Sequence, residues 1–153
     1  MSPAVTDKPI KLSISSTPQH LRVVRAAAEA LCRAIGFDEQ SATRVVLSVD
    51  EALTNVIRHA YGGAEDQPID IELAALDASQ GEGLRIRIRD HGREVDPSEI
   101  RSRDLDDVRP GGLGVHIINE CMDHMEYRRA EGGGTMLTMI KRLRPADGET
   151  PNE

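Results

Sequence analysis

Hydrophobic and polar positions change their period repeatedly along the chain, and each change marks an element. Ile10, Leu12 and Ile14 alternate with Lys11, Ser13 and Ser15, the pattern of a half-buried strand. Thr17 then stands where a helix cap is expected, with Pro18 at the first helical position. Leu21, Val24, Ala28, Leu31 and Ile35 continue at helical spacing, and Gly36 is placed to end the helix. Asp38 opens a second helix whose apolar side holds Val45, Val49, Leu53, Val56 and Ala60, with Gly62-Gly63 as its stop. Two helices joined by a short link are not a strand–helix–strand unit, which counts against a Rossmann domain despite the glycines that follow.

The period then returns to two. Ile69, Ile71 and Leu73 predict one strand, and Leu84, Ile86 and Ile88 a second, joined by the polar turn 77-DASQGEG-83. Residues 91–112 are polar, carry both charge signs and have few apolar anchors. A loop of that length inside a compact domain reads as a lid or binding loop. Leu113, Ile117, Ile118 and Cys121 fit a short helix, and Met125-Tyr127 and Met136-Met139 begin two last strands around the turn 131-EGGG-134. The sum is an α/β two-layer sandwich, its sheet mixed but largely antiparallel, with helices on one face. One domain is expected over residues 10–143, with flexible tails at 1–9 and 144–153.

Composition adjusts this picture in a few places. Aromatic residues are only 2% of the 153 positions, so the core must be aliphatic. The formal charge of −7 argues against a broad phosphate-backbone footprint, and no direct nucleic-acid contact is expected. A nucleotide is still allowed, because glycine loops, helix ends and a divalent cation hold phosphates without a basic surface. Cys32 and Cys121 offer no metal set, and Cys32 reads as a core side chain. No stretch has the length of a signal peptide core or a membrane span, so the expectation is a soluble cytoplasmic protein without a membrane partner. His20 reads as solvated or capping, His59 as packed at a helix end, and His91 and His116 as isolated. His124 begins a strand, and no zinc arrangement emerges. Lys141 and Arg142 read as solvated flanks of the last strand.

Three groups of residues could carry chemistry. Glu51 and Asn55 lie four apart and share one side of the second helix. An amide oxygen suits magnesium beside phosphates, and a carboxylate one turn earlier can accept a hydroxyl proton. Taken alone, the pair reads more simply as a surface Glu and an Asn that tempers helix propensity. Asp90 closes a strand and Gly92 follows it; a carboxylate there can accept from an exocyclic amine such as that of adenine, or the two can form an ordinary turn. Gly111, Gly112 and Gly114 precede a helix and could cradle phosphate or serve as a hinge. No Gly-Lys-Ser/Thr follows them, so they are not a Walker loop.

In order, these residues resemble the GHKL ATP-binding fold shared by gyrase B, MutL and the histidine kinases. The likeness is greatest to the anti-sigma-factor serine kinases of the RsbW and SpoIIAB group, through EALTNVIRHAY (51–61) and GGLGVHIINECMDHMEYRRAEGGGTMLTMIKR (111–142). The resemblance implies ATP and Mg2+ as cofactors. It makes Glu51 the catalytic base, Asn55 the magnesium ligand, Asp90 the adenine-binding carboxylate with Gly92 beside it, and Gly111, Gly112 and Gly114 the phosphate glycines. Thr135 would support adenine through a shared water, and residues 91–110 would be the ATP lid. One departure is 90-DHGRE-94, where Glu94 replaces the second glycine of the family's DxGxG box. The resemblance also implies transfer of the ATP γ-phosphate to a serine of a STAS-domain antagonist protein, sequestration of a sigma factor, and a homodimer. Two alternatives stay open: a binding module that holds ATP and transfers nothing, and a stand-alone histidine-kinase-type catalytic domain, which would need a phosphoacceptor helix pair. A gyrase or MutL-type machine would need a further transducer domain.

Overall fold

In the computed structural model, residues 8–77, 79, 81–92 and 113–143 are described, with the backbone alone given for 113–116. Their order is β1 (Ile10–Ser15), α1 (Pro18–Ile35), α2 (Glu39–Asn55), a π-helical turn (Val56–Ala60), β2 (Pro68–Ala75), β3 (Gly83–Asp90), α3 (Leu113–Cys121), β4 (His124–Arg129) and β5 (Thr135–Arg142). Among the described residues the five strands form one sheet in the order β1-β2-β3-β5-β4. All of its pairings are antiparallel, so the sheet lies at the antiparallel end of the expected architecture.

Register follows from the alternation. Ile71 faces Leu12 on one side and Ile88 on the other, and Ile86 faces Met139, which in turn faces Met125. A one-residue slip would turn every one of these side chains to the opposite face. The apolar face closes with α1, α2 and α3 into a single core holding Val24, Ala28, Val45, Val49, Leu53, Ile71, Ile86, Ile88, Ile118 and Met139. Each large aliphatic side chain buried here contributes roughly 1.5–3 kcal/mol. The other face of the sheet carries Lys11, Asp70, Glu72, Arg85, Arg87, Arg89, Glu126 and Arg128, with no helix over it among the described residues.

The helix ends are where local chemistry sets direction. Gly36 adopts φ 114°, which favours glycine, and its amide returns to the Cys32 carbonyl. The Asp38 carboxylate accepts the Ser41 N–H at 2.7 Å and starts α2. This contact holds the Asp38 carboxyl below its ordinary value. Thr17 occupies the cap position of α1, with Pro18 next, but its hydroxyl makes no cap bond. It donates instead to the Glu65 carbonyl at 2.6 Å. Buried Ser16 does the same to Ala64 at 2.5 Å and accepts the Gln67 N–H at 3.1 Å. The corner between β1 and α1 therefore anchors the segment that leaves α2.

Two polar residues depart from expectation. Lys141 is not a solvated flank. It lies within β5, is buried, and donates from Nζ to the Cys121 carbonyl at 2.8 Å, capping the end of α3. His91 is not isolated, since its Nε2 lies 2.8 Å from Asp70 Oδ2. His20 stays at the surface near Ser15, as expected. Cys32 is fully buried, and burial pushes its thiol up to about 12, so it packs as a small apolar side chain. No helix of the described residues is long and apolar enough to cross a membrane. Nor do those residues hold a His/Cys/Asp/Glu group that could bind a metal ion.

Candidate nucleotide site

The site is assembled where α2 loosens. Glu51 and Asn55 occupy the last turn of α2, one turn apart, and both are half-buried. Neither side chain takes a hydrogen-bond partner among the described residues. Directly after Asn55 the helix widens, and the Tyr61 N–H bonds back to the Val56 carbonyl at 3.1 Å, five residues earlier. Such π turns cost regular helix geometry and recur at functional sites.

That turn meets the end of β3. A methyl group placed on Gly92 would sit 2.5 Å from the Ala60 carbonyl oxygen and 2.9 Å from the Tyr61 ring. Glycine is therefore required here by the chain's own close approach. Tyr61 ties the junction: its hydroxyl donates to the Pro68 carbonyl at 2.5 Å and accepts the His91 N–H at 2.6 Å. Burial raises the Tyr61 phenol above its ordinary value. Asp70 completes the tie, with Ser13 donating to one carboxylate oxygen at 2.6 Å and His91 on the other.

Asp90 is 4% exposed. Its Oδ1 accepts the Gly92 N–H at 3.0 Å and the Thr135 N–H at 3.3 Å. Burial raises its carboxyl above the ordinary value, and the two amides partly offset this. Its Oδ2 accepts from none of the described residues, which leaves it able to take a ligand's amine. Gly134 makes this arrangement possible: a methyl group there would lie 2.0 Å from the Asp90 carbonyl oxygen. Thr135 is buried beside it.

The structure thus brings Asp90, Gly92 and Thr135 together at the end of β3, and the π turn that follows Glu51 and Asn55 along the chain packs against Gly92. Gly114 lies in the first turn of α3 rather than before it. Gly111, Gly112, Glu94 and all but the first two residues of the proposed lid lie outside the described residues. Sequence reasoning gave no role to Tyr61, Asp70 or Arg89, and read Gly134 as part of a turn. A tyrosine directly after the helix and before Gly62-Gly63 was the one signal available for the first.

The histidine kinase-like ATPase domain family matches residues 14–141, and the chain belongs to it. It is 27% identical to the serine-protein kinase RsbW of Listeria innocua over 138 residues, covering 84% of this chain and 85% of that protein. It is 26% identical to RsbW of Halalkalibacterium halodurans over 142 residues, covering 88% and 83%. Among solved structures, the RsbU and RsbW domains of Rv1364c from Mycobacterium tuberculosis superpose with a TM-score of 0.64 at 22% identity over 91% of this chain. This chain spans 34% of that longer one, and the likeness carries the fold alone.

Proposed function

We propose that this protein is an ATP-dependent protein serine kinase of the anti-sigma-factor type. The observation that carries the reading is the half-buried pair Glu51 and Asn55, without a side-chain partner among the described residues, on the helix whose π turn abuts Gly92 beside Asp90. Adenine is read by Asp90 Oδ2, with Thr135 and Gly92 holding the carboxylate. The Asn55 amide oxygen would hold magnesium, which when bound screens charge on the phosphates. Glu51 is half-exposed, so a protein hydroxyl can reach it, and it accepts the proton of the acceptor serine as that oxygen attacks the γ-phosphorus and the bond to the β,γ-bridging oxygen breaks, releasing ADP. Gly111, Gly112 and Gly114 are the phosphate glycines of this reading, and residues 91–110 its ATP lid.

The acceptor in this reading is a serine of a STAS-domain antagonist. The kinase also holds a sigma factor and works as a homodimer in the cytoplasm. The names of its relatives as serine-protein kinases support a serine rather than a histidine acceptor. Incubation with γ-labelled ATP, magnesium and a panel of STAS-domain proteins tests it. Label on a serine of one of them is expected. ATP binding without transfer to any panel member would overturn the kinase reading in favour of a binding module.

A further inference from the structure

Arg89 is the neighbour of Asp90 in β3, yet its side chain leaves on the opposite face of the sheet. There it crosses to the turn between β4 and β5. Its Nη2 donates to the Glu131 carbonyl at 2.5 Å and reaches the Gly133 carbonyl at 3.5 Å. The same nitrogen lies 3.6 Å from where a methyl group on Gly132 would stand. Its Nε is enclosed without an acceptor among the described residues. An enclosed donor costs free energy, and the side chain accepts that cost while gripping the turn.

The turn that Arg89 reaches is built of glycine. Gly132, Gly133 and Gly134 have φ of 86°, 107° and 81°, three successive residues in a region that glycine alone enters freely. Two backbone bonds close it, Ala130 N–H to Gly134 at 3.0 Å and Gly133 N–H to Ala130 at 3.1 Å. The next residue, Thr135, donates to Asp90 Oδ1 at 3.3 Å, near the long end of a useful hydrogen bond. A small shift of the turn would break that contact and leave the carboxylate held by the Gly92 N–H alone among the described residues, with more freedom to turn.

We propose that Arg89 is a positioning residue for base selection. By gripping the 131–134 turn from the solvent face, it holds Thr135 against Asp90 and fixes the carboxylate that reads adenine. The proposal rests on the adenine-reading role given to Asp90 above. Both carbonyl contacts come from the single nitrogen Nη2, so a lysine ammonium, itself a single charged donor, can keep part of the grip.

The test measures affinities for non-hydrolysed ATP and GTP analogues with magnesium, in the parent, Arg89→Gln, Arg89→Lys and Arg87→Gln. Arg87 serves as the control because it lies on the same strand and face but pairs with Glu72 at 3.9 Å. The ATP-over-GTP ratio is expected to fall about tenfold in Arg89→Gln and by less in Arg89→Lys. Arg87→Gln should keep the parent ratio. A folded Arg89→Gln with the parent ratio overturns the proposal alone. A parent with no preference for ATP overturns the reading of Asp90 and this proposal with it. If Arg89→Gln loses its cooperative melt, Arg89→Lys decides: a lowered ratio supports the proposal and an unchanged one overturns it.

Discussion

Asp90 and Glu51 are the two carboxylates of the candidate site, and the fold treats them differently. Asp90 is sealed into the sheet, takes two backbone amides on one oxygen and has glycine packed against its own carbonyl. Glu51 stands half-exposed on a helix with no partner among the described residues. On the proposed function, recognition of the base is thus built into the packing. On the same reading, the chemistry is left on a helix face where a side chain can be exchanged at little cost to stability. Substitutions at the two ends should therefore separate into losses of structure or selectivity and losses of turnover.

The largest separation is expected at Glu51. Glu51→Gln keeps shape and hydrogen bonding but removes the base, so phosphate transfer should slow by roughly 100- to 10,000-fold in a single-turnover assay. ATP affinity and melting temperature should stay at parent values. Transfer at the parent rate would remove Glu51 from the chemistry. Next comes Gly134→Ala, which places a methyl group against the Asp90 carbonyl in a backbone region that disfavours it. A loss of about 3 kcal/mol in denaturant unfolding is expected, with nucleotide binding lost alongside.

Asp90→Asn sharpens the contrast, because it should weaken recognition while sparing the empty protein. Guanine presents a carbonyl where adenine presents an amine, so the preference for ATP over GTP should drop by about 10- to 100-fold in competition binding. The sign of the pH effect follows from burial. The folded carboxyl titrates above the unfolded one, so the folded state holds the proton more tightly. Asp90 therefore makes stability fall as pH rises from the ordinary carboxylate value through the raised one. Asn cannot ionise, so in Asp90→Asn that part of the pH dependence should vanish from thermal melts. The smallest of these effects is expected for Asn55→Ala. The gain in ATP affinity on adding magnesium should shrink by roughly tenfold, while affinity in chelator stays unchanged. An undiminished magnesium effect would show that Asn55 holds no metal.

Much of the frame was legible because it is periodic. The alternation of Ile69, Ile71 and Leu73, and the helical spacing of Val45, Val49 and Leu53, each report burial within a short window. Asp90 could be read for the same reason, as a carboxylate closing an alternating strand. What escaped depends on partners far along the chain. The Thr17 hydroxyl looks like a cap until Glu65, 48 positions on, is brought beside it. Lys141 looks solvated until the end of α3 arrives 20 positions away. Gly134 reads as an ordinary turn glycine, since nothing near it in sequence reveals the Asp90 carbonyl. The π turn left no trace in hydrophobic period, because Val56 and Ala60 fit a regular helix almost as well.

That turn sets a rule for how the chain can change length. Each residue of a helix advances the next by roughly 100°. Removing one residue between Val56 and Ala60 would restore regular winding and swing Tyr61 by about that angle, taking its hydroxyl from both Pro68 and His91. The segment would still score as a good helix by composition. Deletions here should therefore be far less tolerated than deletions of equal size in the 77–83 turn, and natural relatives should differ in length at the second place and not at the first.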